Sequence, residues 1–226
     1  MCLILVAWQV PGRHALIVAA NRDEFHGRPA APAAFWEDEP GILAGRDLEA
    51  RGTWMGISRG GRFAAVTNYR GGTEPRAERS RGSLVSAFLA DGQTPRQPPR
   101  QPPAQYIDEV RTKAASYSGF NLLVGDGKEL WWLSNRDGTP RRLEPGIYGL
   151  GNALLDSPDV EPRKRRFEDA LAPGAAVEPL FSVLAEARIV DPRYGTRCST
   201  VYFGGRYVER TFSPDGTEQD TLHYEL

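Results

Sequence analysis

Two apolar runs at the start of the chain constrain its fold more than any other feature. Cys2-Leu-Ile-Leu-Val-Ala-Trp8 and His14 to Ala20 are both β-rich. Pro11-Gly12 between them is a turn dipeptide, so the two runs read as a hairpin. Their hydrophobicity is continuous rather than alternating, which predicts strands covered on both faces. Asn21-Arg22-Asp23-Glu24 then follows abruptly, four polar residues at the end of a buried strand. In a hairpin the end of the second strand returns toward the start of the first, so the turn at Asn21 to Asp23 is expected beside Cys2.

The rest of the chain supplies more strands at both ends and helices in the middle. Residues 27 to 40, with Pro29, Pro32 and Pro40, read as a loop. Ile42 to Ala44, Thr53 to Ser58 and Arg62 to Thr67 read as strands, the last two joined at Gly60-Gly61. Ser83 to Leu89 and Gln105 to Tyr117 read as helices, separated by a Pro- and Gln-rich surface loop at 91 to 103. Phe120 to Val124 and Glu129 to Leu133 make a further hairpin, and Ile147 to Leu150 a short strand. Pro162 to Leu171 and Glu178 to Ala187 read as helices; Thr200 to Phe203, Tyr207 to Phe212 and Leu222 to Leu226 close the chain as strands. A regular βαβ alternation is missing, which favours a layered α+β fold over a doubly wound one.

The length of 226 residues suits one large domain, taken as residues 1 to 226. With 28 basic against 29 acidic residues, the chain has no global field to collect nucleic acid or anionic membrane. No apolar stretch approaches the ~20 residues of a membrane helix, and no leader pattern opens the chain, so a cytoplasmic protein with no membrane span is expected. Cys2 and Cys198 lie almost a chain length apart and are read as free thiols. With His14, His26 and His223 they show no zinc-type spacing, so no metal is expected.

Cys2 is the first candidate for chemistry. An initiator Met before a small residue is commonly removed, which would leave Cys2 N-terminal. Its α-amine, with a reference pKa of about 7.7–8.0, could then serve as the base for its own thiol. The plain alternative is a cysteine opening a core strand. Arg22 would favour a thiolate, and Asp23 could hold an ammonium or orient a substrate; the alternative is a solvated turn with a local ion pair. Asn68 and Asn152 each end a short apolar run, where an amide suits an oxyanion or simply a turn. Arg197 enters a late strand and could hold a carboxylate, support the nucleophile or make a structural ion pair. Phosphate-loop, dinucleotide and Gly-x-Ser-x-Gly motifs are absent. Arg163-Lys164-Arg165-Arg166 reads as a solvated helix face.

Met-Cys2, Asn21-Arg22-Asp23-Glu24-Phe25, Ala44-Gly45-Arg46-Asp47-Leu48-Glu49 and Gly52-Thr53-Trp54-Met55-Gly56 form an ordered series of motifs. Ala65-Val66-Thr67-Asn68, Arg81-Gly82-Ser83-Leu84-Val85, Gly149-Leu150-Gly151-Asn152, Leu155-Asp156-Ser157-Pro158 and Tyr194-Gly195-Thr196-Arg197 through Ser199-Thr200 continue it. The chain thereby resembles the NRDE family, which includes the transport and Golgi organisation protein 2 homologues. It is more distantly similar to choloylglycine hydrolases and penicillin V acylases. The resemblance implies a four-layer αββα sandwich of N-terminal-nucleophile hydrolase type. It also implies roles: Cys2 as nucleophile, Arg22 and Asp23 as its supporting pair, Asn68 and Asn152 as oxyanion and amine contacts, and Arg197 as the last member. In those hydrolases the Arg and Asp are separated by two residues, whereas Arg22 and Asp23 are adjacent.

Two functions follow as expectations. One is an N-terminal-cysteine amidohydrolase or acyltransferase acting on a small acyl amide, requiring no cofactor. The other uses the same pocket without turnover to bind haem or an acyl-thioester. Eukaryotic members of the family resembled are linked to Golgi organisation, lipid metabolism and haem movement. His14, His26 or a cysteine would then supply an axial ligand, and Trp36, Trp54, Trp131 and Trp132 would either line a cleft or pack the core. Either way the partner is a small molecule, and the sequence leaves the oligomeric state open.

Overall fold

The first apolar run is strand β1 (Leu3–Trp8) and every residue of it is buried, as continuous hydrophobicity requires. The computed structural model describes residues 2–71, 77–90, 101–171 and 176–226. After β1 the strands are β2 (Leu16–Phe25), β3 (Ala30–Phe35), β4 (Ile42–Asp47), β5 (Met55–Ser58), β6 (Phe63–Asn68), β7 (Phe120–Gly125), β8 (Leu130–Ser134) and β9 (Arg141–Arg142). Strands β10 (Gly146–Leu150), β11 (Tyr194–Phe203), β12 (Arg206–Phe212) and β13 (Glu218–Glu225) complete the set. The helices are α1 (Gly82–Leu89), α2 (Pro103–Thr112), α3 (Glu161–Ala170) and α4 (Val177–Ala185). None of the described helices is long and apolar enough to cross a membrane.

The chain divides into two compact units, residues 1–28 with 144–226, and residues 29–143. The first unit holds an antiparallel sheet in the order β10-β1-β2-β11-β12-β13. Leu3, Leu5, Ala7, Ile17, Ala19, Val201 and Val208 line one of its faces. They pack against Val160, Phe167, Leu180, Phe181 and Leu184 from α3 and α4 and the residue before them. The alternate residues Ile4, Val6, Val18 and Ala20 are buried as well.

The second unit is an antiparallel meander, β3-β4-β5-β6-β7-β8-β9. Helices α1 and α2 cover it with Leu84, Val85, Phe88, Tyr106, Ile107 and Val110. Proline opens α2 at a position where no backbone N–H is needed. Close approach of chain to chain sets the glycine pattern here. A Cβ on Gly52 would lie 2.5 Å from the Gly82 carbonyl carbon, and one on Gly45 would lie 2.0 Å from the Trp54 indole.

Several elements depart from the sequence reading; β11 begins at Tyr194 and β13 at Glu218, ahead of the expected Thr200 and Leu222, because each pairs along its length with a neighbouring strand. The polar tetrapeptide at 21–24 is not a turn but the second half of β2, because β11 pairs with it from Phe25 to Ile17. Residues 30–35 form a strand although read as loop. Pro32 is tolerated because β3 lies at the edge of its sheet, where one row of N–H groups is left without ladder partners. The helix read as Gln105 to Tyr117 ends at Thr112 and finishes in a 3₁₀ turn at Ala114–Ser116. Most of the proline- and glutamine-rich segment, residues 91–100, lies outside the described residues.

Gly52→Ala should destabilise the protein by about 1–3 kcal/mol, because the clash is with backbone that cannot rotate away. The midpoint of urea unfolding checks this. Gly127, where a Cβ meets nothing within 4 Å but φ is +86°, separates steric clash from backbone strain: its Ala variant should cost only about 1 kcal/mol.

Candidate active site

Strand register assembles the first unit's candidate residues into a row. β1 pairs with β2 so that Leu3 faces Asn21, and one step outward Cys2 comes beside Arg22. β2 pairs with β11 so that Arg22 faces Cys198. On the other side Ile4 faces Leu150, where β10 ends two residues before Asn152. Cys2, Arg22 and Cys198 therefore share one sheet face. The Cys2 thiol donates to the backbone carbonyl of Asp23 at 3.6 Å.

Adjacent strand residues point to opposite faces, so Asn21 and Asp23 face the helix side while Arg22 faces the cysteines. Asn21 donates to the Leu184 carbonyl at 2.9 Å and accepts from the Ser199 hydroxyl at 2.6 Å. It ties β2 to α4 and β11. Asp23 Oδ1 accepts from Thr196 Oγ1 at 2.6 Å. The Arg22 guanidinium comes within 4.0 Å of Glu24.

The Cys2 thiol rests in its protonated form at neutral pH. Burial pushes it above its ordinary range, the Asp23 carboxylate adds to this, and Arg22 works in the opposite direction. Cys198 is buried and its thiol is held well above the ordinary range, first by burial and then by Glu209, so it is a poor nucleophile.

Arg197 is the extra residue of a β-bulge, since Thr196 faces Asp23 while Cys198 faces Arg22. The bulge aims its Nη1 at three carbonyls, those of Phe25 at 3.1 Å, His26 at 3.3 Å and Arg28 at 3.1 Å. This arginine holds the chain where it leaves β2. Burial, and then the charge of Arg22, lower its pKa. Asn152 is buried in a loop braced by Asp156, whose Oδ1 accepts from the Gly149 N–H at 2.8 Å and whose own N–H donates to the Gly149 carbonyl. Asn68 belongs to the other unit, where it is exposed at the end of β6 opposite Phe120.

The histidines and tryptophans of the haem reading make local contacts. His26 Nε2 lies 3.0 Å from the Asp191 carbonyl, and His14 is edge-on to Phe203. Trp36 and Trp132 are buried, and Trp36 Nε1 donates to the Ala44 carbonyl.

The model of the family described as Transport and Golgi organisation 2 matches residues 1–192. The chain belongs to the Transport and Golgi organisation 2 family. It is 35% identical to the Transport and Golgi organization protein 2 homolog of Bos taurus, covering 83% of this chain and 81% of that protein. To the Homo sapiens homolog it is 32% identical, covering 94% of this chain and 90% of that protein. Among solved structures it is similar to penicillin V acylase from Agrobacterium tumefaciens. The TM-score is 0.58 and the identity 13%, over 100% of this chain and 86% of that one. It is also similar to the mutant C2A conjugated bile acid hydrolase from Clostridium perfringens, with a TM-score of 0.53 and 10% identity over 100% and 97% of the two chains. These likenesses assign this Transport and Golgi organisation 2 protein the α+β, αββα-type fold of N-terminal-nucleophile hydrolases.

Two residues near Cys2 were not singled out from the sequence. Tyr194 donates its hydroxyl to the Asp23 carbonyl at 3.2 Å, the oxygen that also takes the Cys2 thiol, and its ring stands edge-on to Phe25. Thr196 fixes the Asp23 carboxylate. Both lie in the Tyr194-Gly-Thr-Arg197 motif, and their alternation with Gly195 was the available signal.

Replacing Asn21 with Ala should cost about 2–4 kcal/mol, since it orphans the Leu184 carbonyl and the Ser199 hydroxyl together; chemical unfolding measures it. Burial raises the pKa of Cys198 and Tyr207 in the folded protein, so unfolded chains release those protons first. Stability is then full below the ordinary thiol range and is lost as pH climbs. The unfolding free energy should fall between about pH 8 and pH 11, by up to ~1.4 kcal/mol per pH unit for each group. Cys198→Ala should flatten that decline.

Proposed function

We propose that this protein is an N-terminal-cysteine amidohydrolase or acyltransferase that cleaves the C–N bond of a small acyl amide. The observation that carries the reading is the Cys2 thiol donating to the Asp23 carbonyl, on the sheet face that also carries Arg22.

The resting thiol is protonated, so the reaction needs a base close to the sulphur. While Met1 is attached, the Cys2 nitrogen is an amide and cannot act as one. Once Met1 is removed, that nitrogen is an amine with a reference pKa of about 7.7–8.0. The amine takes the thiol proton as sulphur attacks the acyl carbon. Arg22 stabilises negative charge at the sulphur. The tetrahedral intermediate collapses with breakage of the C–N bond, and the leaving amine takes the proton from the α-ammonium. The thioester on Cys2 is then released by water or by a second nucleophile, which sets hydrolysis against acyl transfer. Asp23 holds its carbonyl toward the thiol because Thr196 and Tyr194 fix the residue at both ends. The role of Asn68 rests on the resemblance to choloylglycine hydrolases.

Intact mass should show loss of Met1, and Cys2→Ala should lower turnover of acyl amides at least about a thousandfold. A Cys2→Ala variant that keeps its activity on a true substrate would sink the reading.

A further inference from the structure

Arg197 has more donors than its hold on the chain uses. Its Nη1 alone reaches the carbonyls of Phe25, His26 and Arg28, while Nε and Nη2 make no hydrogen bond or ion pair among the described residues. A guanidinium is a rigid planar fork, so carbonyls gathered on one nitrogen fix where the other two point. The side chain is half-buried, and the fork is therefore both held and reachable.

The bulge brings this side chain to the face of Cys2. Regular alternation would send Thr196 and Cys198 to one face, yet Thr196 bonds Asp23 on one side of the sheet and Cys198 faces Arg22 on the other. Arg197 is the residue at which the alternation slips. The ionisable groups that act on its guanidinium are Arg22, Cys198 and Glu24, all on the Cys2 face. Arg22 repels it. Glu24 attracts it without pairing with it; that carboxylate accepts from the Phe25 N–H at 2.9 Å and lies 4.0 Å from Arg22. An anion on the Nε and Nη2 edge would offset the repulsion between the two arginines, and two oxygens of one carboxylate or phosphate fit that edge.

We propose that Arg197 is the anion-recognising residue of the Cys2 site, its Nε and Nη2 receiving a carboxylate or phosphate carried by the substrate. This rests on the reading of Cys2 as nucleophile and narrows its substrate class to acyl amides that bear an anionic group. Cys2 and Cys198 flank Arg22 on either side, so two strand spacings of about 4.8 Å separate the nucleophile from the bulge. The anion accordingly sits on the order of 10 Å from the sulphur, several bonds away from the amide that is cleaved.

The test uses affinity labels on the full chain. 6-(Iodoacetamido)hexanoate and 6-(iodoacetamido)hexyl phosphate are compared with the uncharged 6-(iodoacetamido)hexanamide, and the rate of Cys2 labelling is read by peptide mass spectrometry. At least one anionic label should react about tenfold faster than the neutral one, and the faster of the two tells carboxylate from phosphate. Arg197→Lys should bring the ratio close to one, because its single ammonium is used up on the carbonyls. Glu24→Gln removes a competing anion and should raise the ratio about threefold. A wild-type ratio near one, a ratio that survives Arg197→Lys, or no gain in Glu24→Gln would overturn the proposal. If Arg197→Lys does not fold, Glu24→Gln decides the matter. The unreactive acetamido analogues, titrated into Cys2→Ala and followed by NMR shifts, give a readout that needs no nucleophile. Preference for the anionic analogue there, lost on adding Arg197→Lys, keeps the anion site even if Cys2 proves inert to every label. Equal binding of charged and neutral analogues removes the site and leaves the reading of Cys2 untouched.

Discussion

The pairing of β2 with β11 is the constraint on which the first unit depends. It joins residues 17–25 to residues 194–203, almost the two ends of the chain. Without it, β2 would end at Ala20 and the polar tetrapeptide would be the solvated turn that its composition suggests. With it, Asn21, Arg22 and Asp23 become buried strand residues. Each buried polar group then needs a partner in the folded state, and β11 supplies many of them: Ser199 to Asn21, Thr196 to Asp23, Cys198 beside Arg22. The candidate site is thus a by-product of a long-range ladder, and it exists only when both chain ends are in place.

That dependence explains what the sequence made legible and what it did not. The hairpin of β1 and β2 is local, carried by two apolar runs and a Pro-Gly turn, and its geometry places Cys2 against Asp23 without further information. The helices α1, α3 and α4 fall within about two residues of the positions their periodicity indicates. The continuation of β2 through 21–25 could not be read, because four consecutive polar residues carry a strand only if a distant strand satisfies them. Pro32 misled for a similar reason: proline forbids an inner strand but not an edge, and edge position is a property of the whole sheet. Tyr194 and Thr196 were within view as part of a motif, yet their roles follow from a register that only the fold defines.

Strand parity also bears on the adjacency of Arg22 and Asp23. In the choloylglycine hydrolases that the chain resembles, two residues intervene between the corresponding Arg and Asp; here none do. Both spacings are odd offsets. On a regular strand either one sends the two side chains to opposite faces. On β2 the adjacency puts Arg22 on the face of the cysteines and Asp23, anchored by Thr196, on the other. What reaches the Cys2 thiol from Asp23 is its backbone carbonyl, and a carbonyl is delivered to the same place whatever face the side chain takes.

The motifs divide on the same physical line. Gly45, Gly52 and Gly82 fill places where a Cβ would strike an indole or a backbone, so they record packing of the second unit. Arg197, aimed by a bulge at three carbonyls, records the exit of β2. The glycines need no substrate to explain them. The proposed chemistry falls to residues whose burial is otherwise costly, a thiol raised by desolvation and a guanidinium on the same sheet face. A core built for stability alone would exchange such groups for apolar ones of the same volume at little loss. Holding a cation beside a protonated thiol gains something when that thiol must give up its proton, which is the task that the proposed reading of Cys2 gives to Arg22.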